Sequence, residues 1–272
     1  MTTAEAPIRG SFRGLRDVSL VGRQVYFEQL AFWLNPIGAA ITIGFSVVFI
    51  VIFESTSKHS TVGYLKHIDL GQYYLPAFAA YGVMAACFNI LAIALVNRRE
   101  MGLLKRLRLS PLPTWMLLAA IFVSSMIVAT IQIVLVLLVG RVGYGVHGPH
   151  DALLFVLVLL VGMATFTALG VGVSTVVPNA DAAGPIVSLV FFILVALSGL
   201  YFPVKPGSGL ATFTDLFPIR HLIVASVDTF NGIPGTSPWN DILVMAVWGV
   251  AGVVLAMRRW DWSPKRGRGR VG

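Results

Sequence analysis

Residues 97–113 read Asn97-Arg98-Arg99-Glu100-Met101-Gly102-Leu103-Leu104-Lys105-Arg106-Leu107-Arg108-Leu109-Ser110-Pro111-Leu112-Pro113, with five Lys or Arg among them. The apolar run Tyr74–Val96 leads into this stretch and Trp115–Val139 leads away from it. Each run is long enough to cross a hydrocarbon core as a helix, which takes about 20 residues. A stretch this basic does not share that core, so the chain crosses, displays a charged loop and crosses back. Its pattern suits a short amphipathic helix on which a soluble partner can push.

Four further runs extend the pattern: Pro36–Phe53, Leu153–Val177, Pro185–Phe202 and Trp239–Met257. The composition agrees, with 57% hydrophobic residues, 12% charged residues and a mean hydropathy of +0.83. Soluble domains carry about 25% charged residues. Helices and closed barrels are the structures that satisfy their backbones in lipid, and the strand alternation of a barrel is absent. The expected fold is therefore an all-α integral membrane protein with six transmembrane helices. Tyr73, Tyr74, Trp115, Trp239, Trp260 and Trp262 fall at the span ends, where interfacial aromatics belong. The expected division is an N-terminal segment at 1–35, a six-helix transmembrane domain at 36–257 and a basic tail at 258–272, with no room for a soluble domain.

The net charge of +8 could suggest a nucleic-acid partner, but the cations gather beside the spans and argue against one. Four Lys or Arg lie before the first span, five in the 97–113 loop and six after the last span, against five in the alternate loops. This asymmetry places both termini in the cytoplasm. Arg9, Arg13, Arg16 and Arg23 are spread along the start, unlike the layout of a cleavable signal peptide. Residues Phe12 to Leu34 mix basic and apolar positions in the manner of a helix lying in the membrane interface. Lys265, Arg266, Arg268 and Arg270 suit attraction to anionic headgroups, so lipid is an expected partner. Between the fifth and sixth spans, Pro203 to Pro238 is too apolar for a free loop. Phe213, Leu216, Phe217, Ile219 and Leu222 suggest short helices that dip back into the membrane as an outer cap.

Catalytic chemistry is hard to find. Apart from Asp241 near the start of the last, the six runs contain no Asp, Glu, Lys, Arg or His, which disfavours proton relays, intramembrane hydrolysis and metalloproteolysis. No lysine follows a glycine, so no phosphate-binding Gly-Lys-Ser/Thr loop is present, and energy from ATP would need a separate ATPase. The single cysteine, Cys87, lies in an apolar run and excludes an internal disulfide. His147 and His150 are three apart, but Gly145, Gly148 and Pro149 work against a chelating helix there, and no metal is expected. Asn89 and Gln132 have two readings, as interhelical hydrogen-bonding groups or as members of a substrate path. Ala164, Ala168 and Gly172, four apart, favour close helix packing.

These residues together resemble the membrane subunit of a type-2 ATP-binding-cassette exporter of the drug and lipid export branch. The likeness covers nearly the whole chain. Arg99-Glu100-Met101-Gly102 followed by Arg106-Leu107-Arg108-Leu109-Ser110-Pro111-Leu112 is similar to the family's Glu-x-Gly run and Arg-Leu-Arg-x-Ser/Thr-Pro-Leu. Ser198-Gly199-Leu200-Tyr201-Phe202-Pro203 and Phe217-Pro218-Ile219-Arg220-His221 resemble its fifth-span end and outer re-entrant stretch. Lys205 to Asp215, rich in Gly, Ser and Thr, departs from the family pattern.

The resemblance implies a permease without its own nucleotide site, in a bacterial plasma membrane, moving an apolar or amphiphilic cargo such as a drug or lipid outward. Two permease subunits, identical or different, would each carry a cytoplasmic ABC ATPase that holds ATP and Mg2+. Arg99, Glu100, Gly102, Lys105, Arg106, Arg108, Ser110 and Pro111 would couple to that ATPase. Gly199, Phe202, Pro203 and Pro218 would form an external gate. The alternatives are an ATP-independent carrier or channel, and a membrane-embedded enzyme or scaffold.

Overall fold

The computed structural model describes residues 12–56, 61–62, 65–102, 114–201, 204 and 207–259. Six helices in it are long and apolar enough to span a membrane. The first helix, α1 (Phe12–Trp33), precedes them, as the amphipathic pattern of that segment predicts. The spans are α2 (Pro36–Thr56), α3 (Leu70–Glu100), α4 (Thr114–Tyr144), α5 (Ala152–Val176), α6 (Ala180–Leu197) and α9 (Trp239–Arg259). Two short helices, α7 (Gly209–Thr214) and α8 (Pro218–Asn231), lie between α6 and α9. A small hairpin that the sequence reading misses, β1 (Thr61–Val62) with β2 (Leu65–Asp69), joins α2 to α3.

The core is built around α3. Its apolar window is 78% buried, against 17–22% for α2, α6 and α9. Phe78, Phe88 and Met84 project from it into neighbours, while α2 and α6 expose Ile37, Ile41, Leu189 and Phe192. Such residues face hydrocarbon, which makes no demand for burial.

Two interruptions shape α3. Pro76 has no N–H, so the Gln72 carbonyl one turn earlier loses its helical donor. Asn231 Nδ2, at the end of α8, donates to that carbonyl at 3.0 Å. Ala85–Ile90 forms a π-helical turn, one residue wider than α-helix.

The helices α5 and α9 form the tightest pair. A Cβ on Gly252 would sit 2.7 Å from the Ala168 carbonyl carbon, and one on Gly172 would sit 2.8 Å from the Gly252 oxygen. Small residues thus bring the two backbones together, as the spacing of Ala168 and Gly172 leads one to expect. Thr165 Oγ1 adds a hydrogen bond to the Met245 carbonyl at 3.0 Å.

Several span boundaries differ from the sequence reading: the second and third spans run on to Glu100 and Tyr144 instead of Val96 and Val139, and two starts move. The second span begins at Leu70 rather than Tyr74, because the hairpin delivers the chain directly into it. The fifth runs from Ala180 to Leu197 instead of Pro185 to Phe202. Asn179 caps it, accepting from Ala182 N at 2.9 Å, so Pro185 lies inside the helix. Its end comes at Ser198 and Gly199, where a φ of +82° departs from the helix.

Candidate functional site

Arg99 ends α3 but does not face solvent. Only 3% exposed, it reaches across to the turn between α5 and α6. Its guanidinium donates to the carbonyls of Ser174 at 3.0 Å, Val177 at 2.7 Å and Pro178 at 3.4 Å, and Nε donates to Glu100 Oε1 at 2.9 Å. The last carbonyls of a helix lack intrahelical donors, and a cation is favourable beside them. One side chain thereby binds the root of the 97–113 loop to the end of α5 and the start of α6.

The sequence reading put Arg99 and Glu100 on the surface that touches a partner. The structure turns Arg99 inward and gives Glu100 an ion pair with it. The physical reason is that a buried guanidinium needs several acceptors, and the α5–α6 turn supplies them. Gly102 closes α3 with a left-handed φ of +68°. Lys105, Arg106, Arg108, Ser110 and Pro111 lie outside the described residues.

At the other end, α7 and α8 return against the bundle. Buried Ile219, Leu222, Ile223 and Phe230 pack α8 into the core cluster. Pro218 is the first residue of α8, where a missing N–H costs nothing. Gly199 meets two demands at once. Its positive φ favours glycine, and a Cβ there would stand 2.7 Å from Arg220 Nη1. Its carbonyl accepts from Tyr73 Oη at 2.8 Å. Phe202 and Pro203 lie outside the described residues.

The cap holds a polar cluster that the sequence reading does not bring together. Arg220 is 4% exposed, donates to the Val204 carbonyl at 3.2 Å and has Nε 3.5 Å from Asp215 Oδ1. His221 Nδ1 is 2.6 Å from Asp241 Oδ1 and its Nε2 is 2.6 Å from the Asp215 carbonyl. Both partners are acceptors, so both ring nitrogens donate and the imidazole is protonated. Burial pulls its pKa down, but the hydrogen bonds and charges of Asp241 and Asp215 outweigh it and leave it raised. Burial foremost, then the charge of Asp241, pushes Asp228 up to about 6. A cation two residues into an apolar helix is the signal that could have found this cluster.

Gln132 is fully buried and its Nε2 donates to Ser46 Oγ across the α4–α2 seam. That is the interhelical reading, in a closed seam instead of an open path. Asn89 sits in the π-helical turn of α3, and its Oδ1 is buried without a hydrogen-bond partner among the described residues. The two are not brought together. His147 Nδ1 lies 3.1 Å from Gln72 Nε2, whereas the His150 ring fits against Gly232.

The family described as ABC-2 family transporter protein matches residues 51–258, which includes the α3 clamp and the α7–α8 cap. Over 202 residues the chain is 24% identical to a probable multidrug ABC transporter permease, YbhR, of Escherichia coli (strain K12), covering 72% of this chain and 55% of that protein. It is 26% identical over 177 residues to a putative transport permease, YvfS, of Bacillus subtilis (strain 168), covering 64% of this chain and 70% of that protein. The chain spans about half the length of the Escherichia coli relative. With six spans, a basic loop between the second and third and a match over most of its length, the chain belongs to the ABC-2 transporter family, as a multi-pass membrane permease.

Proposed function

We propose that this permease is the membrane half of an exporter powered in trans. A separate cytoplasmic ATPase binds the 97–113 loop, and two permease subunits, alike or different, form the pathway. The chain itself holds no nucleotide; ATP and Mg2+ belong to the ATPase. The charge asymmetry of the loops supports a cytoplasmic position for the loop and both termini.

The observation that carries the reading is the Arg99 clamp. A push on the loop reaches α6 through rigid bonds, because Arg99 holds the Val177 and Pro178 carbonyls just before that helix starts. ATP-driven closure would shift the bundle only through contacts that differ between the two states. At the far end, the cap and the bend at Gly199 form the exit gate. Charged residues of the described spans, such as Glu54, Arg141, Asp181 and Asp241, lie near helix ends. An interior without charge suits an apolar or amphiphilic cargo, with Asn89 as its polar contact.

Pull-down in mild detergent for a co-purifying ABC ATPase, then reconstitution of the pair, tests the reading. Glu100→Lys and Arg106→Glu should insert normally yet lose transport and cargo-stimulated ATP hydrolysis. Unchanged transport in both variants would overturn it. Transport with no ATPase present would favour an ATP-independent carrier instead.

A further inference from the structure

A slot of about 260 Å3 opens between α1, α2, α3 and α4, on a face that includes no residue of α5, α6 or α8. It is thus separate from both the Arg99 clamp and the cap. Its α3 wall contains Ala86, Ile90, Ala94 and Arg98, a stripe of every fourth residue on one face. At 1.5 Å per residue that stripe runs about 18 Å. Gly38 and Ala39 of α2 keep the opposite wall low.

Polarity in the slot is lopsided. Its two charged residues, Glu28 and Arg98, pair at one end, with Arg98 Nη1 2.8 Å from Oε1 and Nη2 2.6 Å from Oε2. Deeper in, the Thr42 hydroxyl donates to the Gly38 carbonyl and the Ser124 hydroxyl accepts from Gln29, so both are satisfied by protein. The charged end lies beside α1, which exposes Val18, Tyr26, Phe27 and Trp33 together with Arg23. A helix of that character rests at headgroup depth. The slot therefore starts among headgroups and runs into hydrocarbon.

A narrow apolar slot in that position is filled by a lipid tail. Its volume lies below the roughly 300–1,000 Å3 of pockets that hold drug-sized ligands, which suits one chain and not a fused ring system. Arg98 has five N–H donors. Glu28 takes two, leaving three for an anionic oxygen. We infer that the slot is a binding site for a membrane glycerophospholipid, one acyl chain lying along Ala86–Arg98 and its phosphate on Arg98. The site tethers lipid at the α1–α3 junction and does not depend on the export reading.

The test uses the purified permease in vesicles containing phosphatidylethanolamine with a diazirine midway along one chain, and adducts are mapped after illumination. Residues of the slot should be labelled about tenfold more than Val250 and Val253, which face lipid on α9. Ala94→Phe, which fills the slot, should remove the excess while α9 labelling stays constant, showing that the protein is folded. Arg98→Gln should lower phospholipid labelling of the slot but leave labelling by a photoactivatable alkane unchanged. Equal labelling of slot and α9, or a signal that survives Ala94→Phe, would make the occupant ordinary bilayer and overturn the inference. Loss of the label only during ATP-driven turnover would make the occupant cargo, and would equally overturn a resident lipid.

Discussion

Replacing Arg99 with Met keeps the bulk of the side chain and deletes its donors. Of the three lost bonds to carbonyls, two are short, at 3.0 Å to Ser174 and 2.7 Å to Val177, while the third at 3.4 Å is weak; the ion pair with neighbouring Glu100 is lost as well. Hydrogen bonds to a charged partner contribute about 1.5–3 kcal/mol each. The low end applies because the carbonyls sit at a helix end, so the two short bonds amount to about 3 kcal/mol. At about 2–4 °C per kcal/mol for a domain of this size, Arg99→Met should lower the melting temperature by about 6–12 °C. Arg99→Lys keeps the charge but reaches fewer acceptors, since an ammonium lacks the guanidinium fork, and should fall between. If the clamp also transmits force, cargo moved per ATP hydrolysed should drop about fivefold or more in the Met variant, with the ATPase still bound. The assay is a thermal melt of purified protein alongside the transport-to-hydrolysis ratio in vesicles. A melt shifted by less than about 2 °C, with an unchanged ratio, would refute both parts of the reasoning.

Three other outcomes are expected. The protonated form of His221 bridges Asp241 and the Asp215 carbonyl, so its contribution is complete below about pH 6.5 and is lost as pH rises through its raised folded value. Between about pH 7 and 9, above the value of about 6 for Asp228, the melt of the native protein should fall and that of His221→Gln should stay flat. Gly252→Val should force α5 and α9 apart and cost about 1–3 kcal/mol or more, read as loss of folded protein in detergent, whereas a change at exposed Val253 should be tolerated. In a Cys87→Ala background, cysteines at Ser110 and Lys265 should be shielded from an impermeant thiol reagent in intact cells, while those at Lys58 and His147 should label. External labelling at Ser110 would reverse the orientation.

The six spans were legible in the sequence because hydropathy over about 20 residues reports directly on what lipid tolerates. Ala168 and Gly172 likewise announced a close helix contact, since small residues four apart leave few other uses. The burial of Arg99 is not legible because contiguous cations look alike in sequence, while its partners are carbonyls some 75 positions away that carry no side-chain signature. The α6 start lies before Pro185 because Asn179 caps the helix, a signal that an apolar run counted from Pro185 leaves out. His221 and Asp241, twenty residues apart on different helices, share no local pattern, so their pairing appears only once α8 folds back.

The π-helical turn at Ala85–Ile90 sets the rotational phase between the two halves of α3. Above it the helix is keyed to α8 through Gln72 and Asn231, and below it Arg99 is keyed to the α5–α6 turn. One residue corresponds to about 100° of rotation in an α-helix. Because the wider turn absorbs one extra residue, deleting a residue within it would restore a regular helix with the lower half nearly unrotated. Deleting one in the regular helix on either side would instead swing the lower half by that angle and aim Arg99 away from its acceptors. Length changes outside the turn should therefore be poorly tolerated even where every flanking substitution is conservative, while a single deletion inside it should be tolerated better.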